Sequence, residues 1–269
     1  MQEQRDLAEY LLLLDTGDAL IAEQDLKGLP PEQDRAGWSG FETGDAPSME
    51  GNLERQMWGE DIVAGMNLMG YDAMAIGPLE LGLGAEMLRQ RLDEAEFPML
   101  SANVRWSGDH TLVGEPYTIV QIGQYRIGVI GLTRYPTGEL AGYEILEPKE
   151  VLVKLVPEVE GQVDTVILLT NLSYRSAMEL VEAVPGIDLA VAALPRQLPD
   201  RAVRTPGTRA LVVTADQALP AHSGRRVGRL VVTVGRDGAL SRETWVSVAM
   251  GPEIADDPDM KALLDRFRE

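Results

Sequence analysis

The chain has 269 residues, 45% of them hydrophobic and 25% charged, an ordinary globular composition that fits one large domain or two small ones. Its 24 basic residues stand against 43 acidic ones, a net charge of −19, which repels phosphate backbones and anionic headgroups and argues against nucleic acid or a membrane surface as partner. Cysteine is absent, excluding disulfides, thiolate zinc sites and cysteine nucleophiles, and no apolar run approaches the ~20 residues that span a bilayer. Histidine is nearly absent too. His110 and His222 are the only two, and they cannot build a histidine-rich binuclear centre. Residues 1–6 have no apolar stretch behind a basic end, so no signal peptide is expected and the sequence assigns no compartment.

In chain order, apolar runs alternate with amphipathic stretches, which predicts an α/β domain. A strand at Tyr10–Asp15 comes first. Residues 23–51, rich in Gly and Pro, break the rhythm and read as a long surface loop, with Trp38 and Phe41 as anchors or exposed contacts. A helix follows over Asn52–Met69, where Ile62, Val63, Met66 and Met69 share a face. Next come a strand at Ala73–Gly77, a helix at Gly84–Ala95 and a strand at Met99–Ala102. Strands at Tyr117–Ile122 and Arg126–Leu132 form a hairpin around Gly123, ahead of a strand at Thr165–Thr170, a helix at Tyr174–Val184 and strands at Leu189–Ala193 and Ala210–Thr214. A second hairpin joins Gly228–Val234 to Glu243–Ala249, turning at 236–238, and a helix at Asp259–Phe267 closes the chain. Several strands are short and unalternating, as expected where both faces are buried. With no internal repeat and no dividing linker, residues 1–269 are expected to form a single domain.

Four passages carry a family resemblance. Residues 11–18 are a leucine-rich strand ending in Gly17-Asp18. Residues 66–80 run from a helix end at Gly70 through an apolar strand to Gly77, Pro78, Leu79 and Glu80. Residues 97–104, containing Asn103, are followed by 127–133, ending in Thr133. Residues 163–174, with Thr170 and Asn171, are followed by 184–191, with Asp188. In this order and at these spacings, they resemble the catalytic domain of the 5′-nucleotidase-like metallophosphoesterases, within the calcineurin-like phosphoesterase superfamily. The resemblance implies an α/β fold with two β-sheets packed as a sandwich, flanked by helices, and ligand loops at strand ends. It also implies two divalent metals (Mn, Zn or Mg) that activate water against a phosphate ester.

The matching positions depart from that chemistry. Asp18 falls on the aspartate that bridges both metals. The Asn and His of the family's Gly-Asn-His-Glu fall on Pro78 and Leu79, while Glu80 matches a position the family does not use as a ligand. The His of Ser-His falls on Asn171, and the two His of Gly-His-Ser-His fall on Leu194 and Arg196. The family's usual first strand, with its Asp-x-His, is expected upstream of Leu11 and outside this chain. A C-terminal nucleoside-binding domain would begin beyond Asp259 and is likewise not expected. The edge left by that first strand invites pairing, so a protein partner or a homo-oligomer is expected.

Three clusters have two readings each. Asp15, Asp18, Glu80 and Asn171 form either an all-oxygen site for Mg²⁺ or Ca²⁺, with Asp15, Asp18 and Asn171 as residual metal candidates, or a strand-end turn capped by carboxylates. Arg196, Arg201, Arg204 and Arg209 either bind an anion or pair with the plentiful acids. Gly82 and Gly84, ahead of a helix, suggest anion binding at its N-terminus or a plain turn. The expected function is a degenerate metallophosphoesterase-like domain retained for binding or structure, with no catalytic residue and no metal. The alternative is an active metal-dependent phosphoesterase with a rearranged site around Asp18.

Overall fold

The computed structural model describes residues 10–20, 59–134, 142–193, 202–214, 226–235, 238–251 and 254–267. The expected loop at 23–51, with Trp38 and Phe41, lies outside them, as do His222, Leu194, Arg196 and Arg201. Among the described residues, a parallel sheet of three strands is ordered β1 (Leu14–Asp15), β2 (Ala73–Ala75), β3 (Met99–Leu100). It faces a six-stranded sheet ordered β10 (Val203–Arg204), β11 (Leu211–Thr214), β9 (Leu189–Ala192), β8 (Thr165–Thr170), β6 (Tyr125–Leu132), β5 (Tyr117–Ile122). Strands β6, β8, β9 and β11 are parallel, and the outer pairs are antiparallel.

Side-chain alternation explains the layering. Odd-numbered residues of β6 and β8, Ile127, Val129, Ile167 and Leu169, meet Ala73, Ala75 and Leu100 of the smaller sheet in one core. Their even-numbered neighbours Ile130, Leu132, Val166 and Leu168 meet Leu152 and Val156 of α4 (Pro148–Glu160) and Val181 of α5 (Tyr174–Ala183). A third core joins the outer face of the smaller sheet, through Met74 and Ile76, to α1 (Glu60–Met69) and α3 (Ala85–Glu94). The result is a two-sheet sandwich flanked by helices. No helix among the described residues is long and apolar enough to cross a membrane.

The elements differ from the sequence expectations in instructive places. The first strand is confined to Leu14–Asp15 because Leu13 pairs with Asp72 instead of with a strand, its N–H donating to Asp72 Oδ2 at 2.7 Å and its carbonyl accepting the Asp72 N–H at 2.8 Å. The second ends at Ala75, since the Ile76 carbonyl serves side chains rather than a ladder. Helix α1 begins at Glu60 behind Gly59, and residues 52–58 lie outside the described ones. Helix α4 was not anticipated, because Pro157 inside it interrupts the pattern that a sequence reading follows. Also unanticipated were α2 (Pro78–Gly82) and the ribbon of β4 (Val104–Trp106) with β7 (Tyr143–Ile145), all too short to show a period. The second hairpin is longer than expected, pairing β12 (Arg226–Val234) with β13 (Leu240–Ala249), and α6 (Pro258–Arg266) packs on α1, with Met260 against Gly65.

The two sheets approach closely at Gly131. A Cβ there would overlap Leu100, backbone included, so neither sheet can yield by rotating a side chain. Gly131→Ala is expected to lower stability by about 1–3 kcal/mol through overpacking, read as a lower urea midpoint at unchanged m-value.

Candidate functional site

The parallel strands of both sheets end at one place. Gly17 and Asp18 follow β1, Gly77 and Pro78 follow β2, Ser101 follows β3, Thr133 and Arg134 follow β6, and Asn171 follows β8. The carbonyl of Ile76 joins these ends. It accepts from Thr133 Oγ1 at 2.7 Å and from Asn171 Nδ2 at 3.1 Å. Ser101 Oγ lies 2.7 Å from Thr133 Oγ1. Asn103 takes the Thr133 N–H on Oδ1 at 2.8 Å and gives Nδ2 to the Thr133 carbonyl at 2.9 Å. Ser101, Asn103, Thr133 and Asn171 are wholly buried, and each has its polar atoms paired, as a water-poor interior requires.

Glu80, also wholly buried, organises the loop after β1. Its Oε2 accepts the N–H of Asp18 at 2.8 Å and of Gly77 at 2.7 Å, and its Oε1 accepts those of Ala19 at 2.8 Å and Leu20 at 3.0 Å. Four backbone donors thus converge on one carboxylate. Burial and the Asp18 charge push Glu80 up to about 7, against the pull of the Leu20, Asp18 and Gly77 N–H groups. Asp15 is raised to about 6 by burial and by Asp18, although its carboxylate accepts the Gly17 N–H at 2.8 Å.

Asp18 sits in a left-handed conformation at φ 62°, uncommon outside glycine. Its Oδ1 accepts the Leu79 N–H at 2.8 Å, and its Oδ2 lies 3.8 Å from an Arg134 guanidinium nitrogen. Burial raises its pKa, with the Leu79 N–H and Arg134 opposing. Asn171 Oδ1 accepts the Arg134 backbone N–H. Arg134 therefore reaches the site twice, by its main chain and by its side chain. Its Nε is buried and has no hydrogen bond among the described residues.

Relatives place this architecture. No protein-family model matches the chain. It is 27% identical over 233 residues to a 5′-nucleotidase of Bos taurus, covering 78% of this chain and 40% of that protein. It is 34% identical over 136 residues to a 5′-nucleotidase of Vibrio cholerae, covering 48% of this chain and 24% of that protein. Among solved structures, the 5′-nucleotidase precursor from Thermus thermophilus aligns with a TM-score of 0.72 at 25% identity, over 99% of this chain and 50% of that one. The chain is similar in sequence and fold to the catalytic part of the 5′-nucleotidase-like metallophosphoesterases. The calcineurin-like phosphoesterase YfkN of Bacillus subtilis shares the fold, with a TM-score of 0.66 over the whole of this chain and 88% of that one, at 16% identity. The chain spans 40% or less of the length of the two 5′-nucleotidases compared above.

Within this metallophosphoesterase-like domain, the described donors do not fit a pair of divalent ions. Asp18 is engaged on both oxygens, Asn171 turns its oxygen to the Arg134 N–H, and Pro78 and Leu79 offer no ligating side-chain atom. Among the described residues no three His, Asp or Glu side chains converge as a metal-holding group. The strand ends bring Asp18, Pro78, Leu79, Glu80 and Asn171 together, and Asp15 lies beside them in its own turn. Leu194 and Arg196 fall outside the described residues. Arg134 was missed by sequence reasoning, and its signal was a basic residue directly after the buried run of β6. His110 stands apart, exposed and 3.0 Å from Glu144.

Gly82 and Gly84 flank the turn between α2 and α3, where Gly84 adopts φ 87°. Arg204 is paired, its Nε 3.0 Å from Glu243 Oε1.

Glu80→Gln would set an amide NH₂ against two buried N–H donors. At about pH 8 a loss of roughly 2–4 kcal/mol is expected, checked by chemical denaturation. Because the folded chain holds the Asp15 and Glu80 protons more tightly than the unfolded chain, stability is gained as pH falls towards the ordinary carboxylate range and lost as it rises through 6 to 7. Asp15→Asn keeps an acceptor for Gly17 and removes the charge. Its Tm at about pH 8 should equal or exceed that of the parent, and the drop between about pH 5.5 and 8 should shrink.

Proposed function

We propose that this domain is a catalytically degenerate 5′-nucleotidase-like metallophosphoesterase, retained for binding or for a structural role in an assembly. The observation that supports it is the engagement of Asp18. Metal-assisted ester hydrolysis needs a carboxylate bridging two ions, with further oxygen and nitrogen donors converging around them. Here the matching aspartate accepts a backbone N–H on one oxygen and faces the Arg134 guanidinium with the other. The Arg134 guanidinium, 3.8 Å from Asp18 and partly exposed, disfavours a divalent cation there by like-charge repulsion, attenuated by the solvent around it. The aligned Pro78 and Leu79 add nothing that could offset this.

On this reading the domain carries no resident metal and no catalytic residue. Its partner is a protein or a second copy of the chain, met through the strand-end loops, since a net charge of −19 opposes nucleic acid. The relatives named as 5′-nucleotidases suggest the ancestral substrate class, phosphate esters of nucleosides, rather than a present one.

The test is the metal content of the purified chain after incubation with Mn²⁺, Zn²⁺ or Mg²⁺ and dialysis, with nucleotide hydrolysis measured on the same sample. Less than about a tenth of a metal ion per chain and no turnover above buffer are expected, as order-of-magnitude thresholds. About two ions per chain, with hydrolysis lost in Asp18→Ala, would instead establish an active phosphoesterase with a rearranged ligand set.

A further inference from the structure

A polar cleft lies at the opposite end of the six-stranded sheet from Asp18. It opens where β9 begins, beside Asp188, between the turn joining β10 to β11 and the first residues of β13, and encloses about 510 Å³. That volume suits a small-molecule ligand. Three arginines line it, Arg204, Arg209 and Arg242, against the carboxylates of Asp188 and Glu243.

The arginines divide into a support and a pair. Arg204 is locked in place: it bonds both oxygens of Glu243, at 3.0 and 3.2 Å, and donates to the carbonyls of Arg209 at 3.0 Å and Leu240 at 2.7 Å. It thereby ties the β10–β11 turn to β13. Arg209 and Arg242 are exposed, and their side chains make no hydrogen bond or close ion pair among the described residues, although Arg209 acts on Glu243 at longer range. Both have a left-handed backbone, φ 64° and 52°. Such strain in a non-glycine residue persists where the surroundings impose it, and it gathers at functional sites. Of the four non-glycine residues with positive φ among the described ones, Asp18 lies in the candidate site and two lie in this cleft. Glycine would adopt these angles freely, so what arginine adds there is the guanidinium.

We infer that this cleft binds a phosphate dianion, free or carried on a small organic molecule, between Arg209 and Arg242. Two guanidiniums with no side-chain partner among the described residues supply the forked donors that match phosphate oxygens. The neighbouring Ser241 hydroxyl gives its proton to the Thr233 carbonyl at 3.3 Å, a long bond that it can exchange for a phosphate oxygen. Asp188 directs its carboxylate elsewhere, to the Val166 N–H at 2.8 Å, and Glu243 is held by Arg204. In a chain of net charge −19, such a pocket is a local reversal of sign.

Isothermal titration of the whole chain with inorganic phosphate and with phenylphosphonate tests this. Saturable one-site binding is expected, weakened by added salt, and at least about tenfold weaker in the double variant Arg209→Gly, Arg242→Gly, whose Tm should be unchanged or higher because glycine relieves the backbone. If that variant fails to fold, Arg209→Asn with Arg242→Asn, which tolerates the same angles, takes its place. Tighter binding of phenylphosphonate assigns the site to an organic phosphate, and equal affinity assigns it to free phosphate. No saturation with either probe, or binding that survives in the folded double variant, overturns the inference. So does binding that is lost in Arg134→Gln, which would move the anion to the other end of the sheet.

Discussion

The carbonyl oxygen of Ile76 is where the two sheets become one structure. It belongs to the smaller sheet, yet its donors, Thr133 and Asn171, close strands of the larger one. An unpaired carbonyl at this depth would cost about 1–3 kcal/mol, so the two side chains are fixed as firmly as any ladder. The neighbouring residues follow from this. Thr133 is held in turn by Ser101 and Asn103, Asn171 receives Arg134, and Gly77, next along the chain, presents its N–H to Glu80. What distinguishes this domain chemically is arranged around one main-chain atom.

Glu80 does a related task for the loop after β1. A short, tight turn leaves its N–H groups pointing inward without partners, which secondary structure cannot satisfy. One carboxylate satisfies three of them, and the Gly77 N–H after β2 as well. This gives the final Glu of the family motif a purpose separate from metal chemistry: it keeps the Gly17-Asp18 turn in place. Gly17 fits because a Cβ would overlap the Ala75 carbonyl and approach Gly77. The positions nearest Asp18 are therefore constrained by packing and hydrogen bonding.

Most of the sandwich was legible in the sequence because buried parallel strands advertise themselves as short apolar runs. The buried parallel strand Thr165–Thr170 matches its expected limits, and so does Tyr117–Ile122, an antiparallel edge strand marked by its hairpin turn at Gly123. Legibility failed where a local signal was weak or pointed the wrong way. Pro157 masked α4, and three-residue strands such as Val104–Trp106 carry no period to read. In the candidate site, Asp18, Pro78, Leu79, Glu80 and Asn171 were found through their motifs. Arg134 belongs to no motif, and its relation to Asp18 is made by the meeting of two sheets, which spacing along the chain does not encode. The pairing of Arg204 with Glu243 is hidden for the same reason, since it links a two-residue strand to a distant hairpin.

The pairing of Asp18 with Arg134 changes how the site depends on its surroundings. A metal ion is a separate species, gained and lost with its concentration and open to competition from chelators. A guanidinium attached to the backbone has no such equilibrium. Its local concentration is set by the fold, the same in every compartment and at every dilution. The Arg134 charge beside Asp18 is thus inherited with the sequence, and it persists for as long as β6 and β1 keep their places.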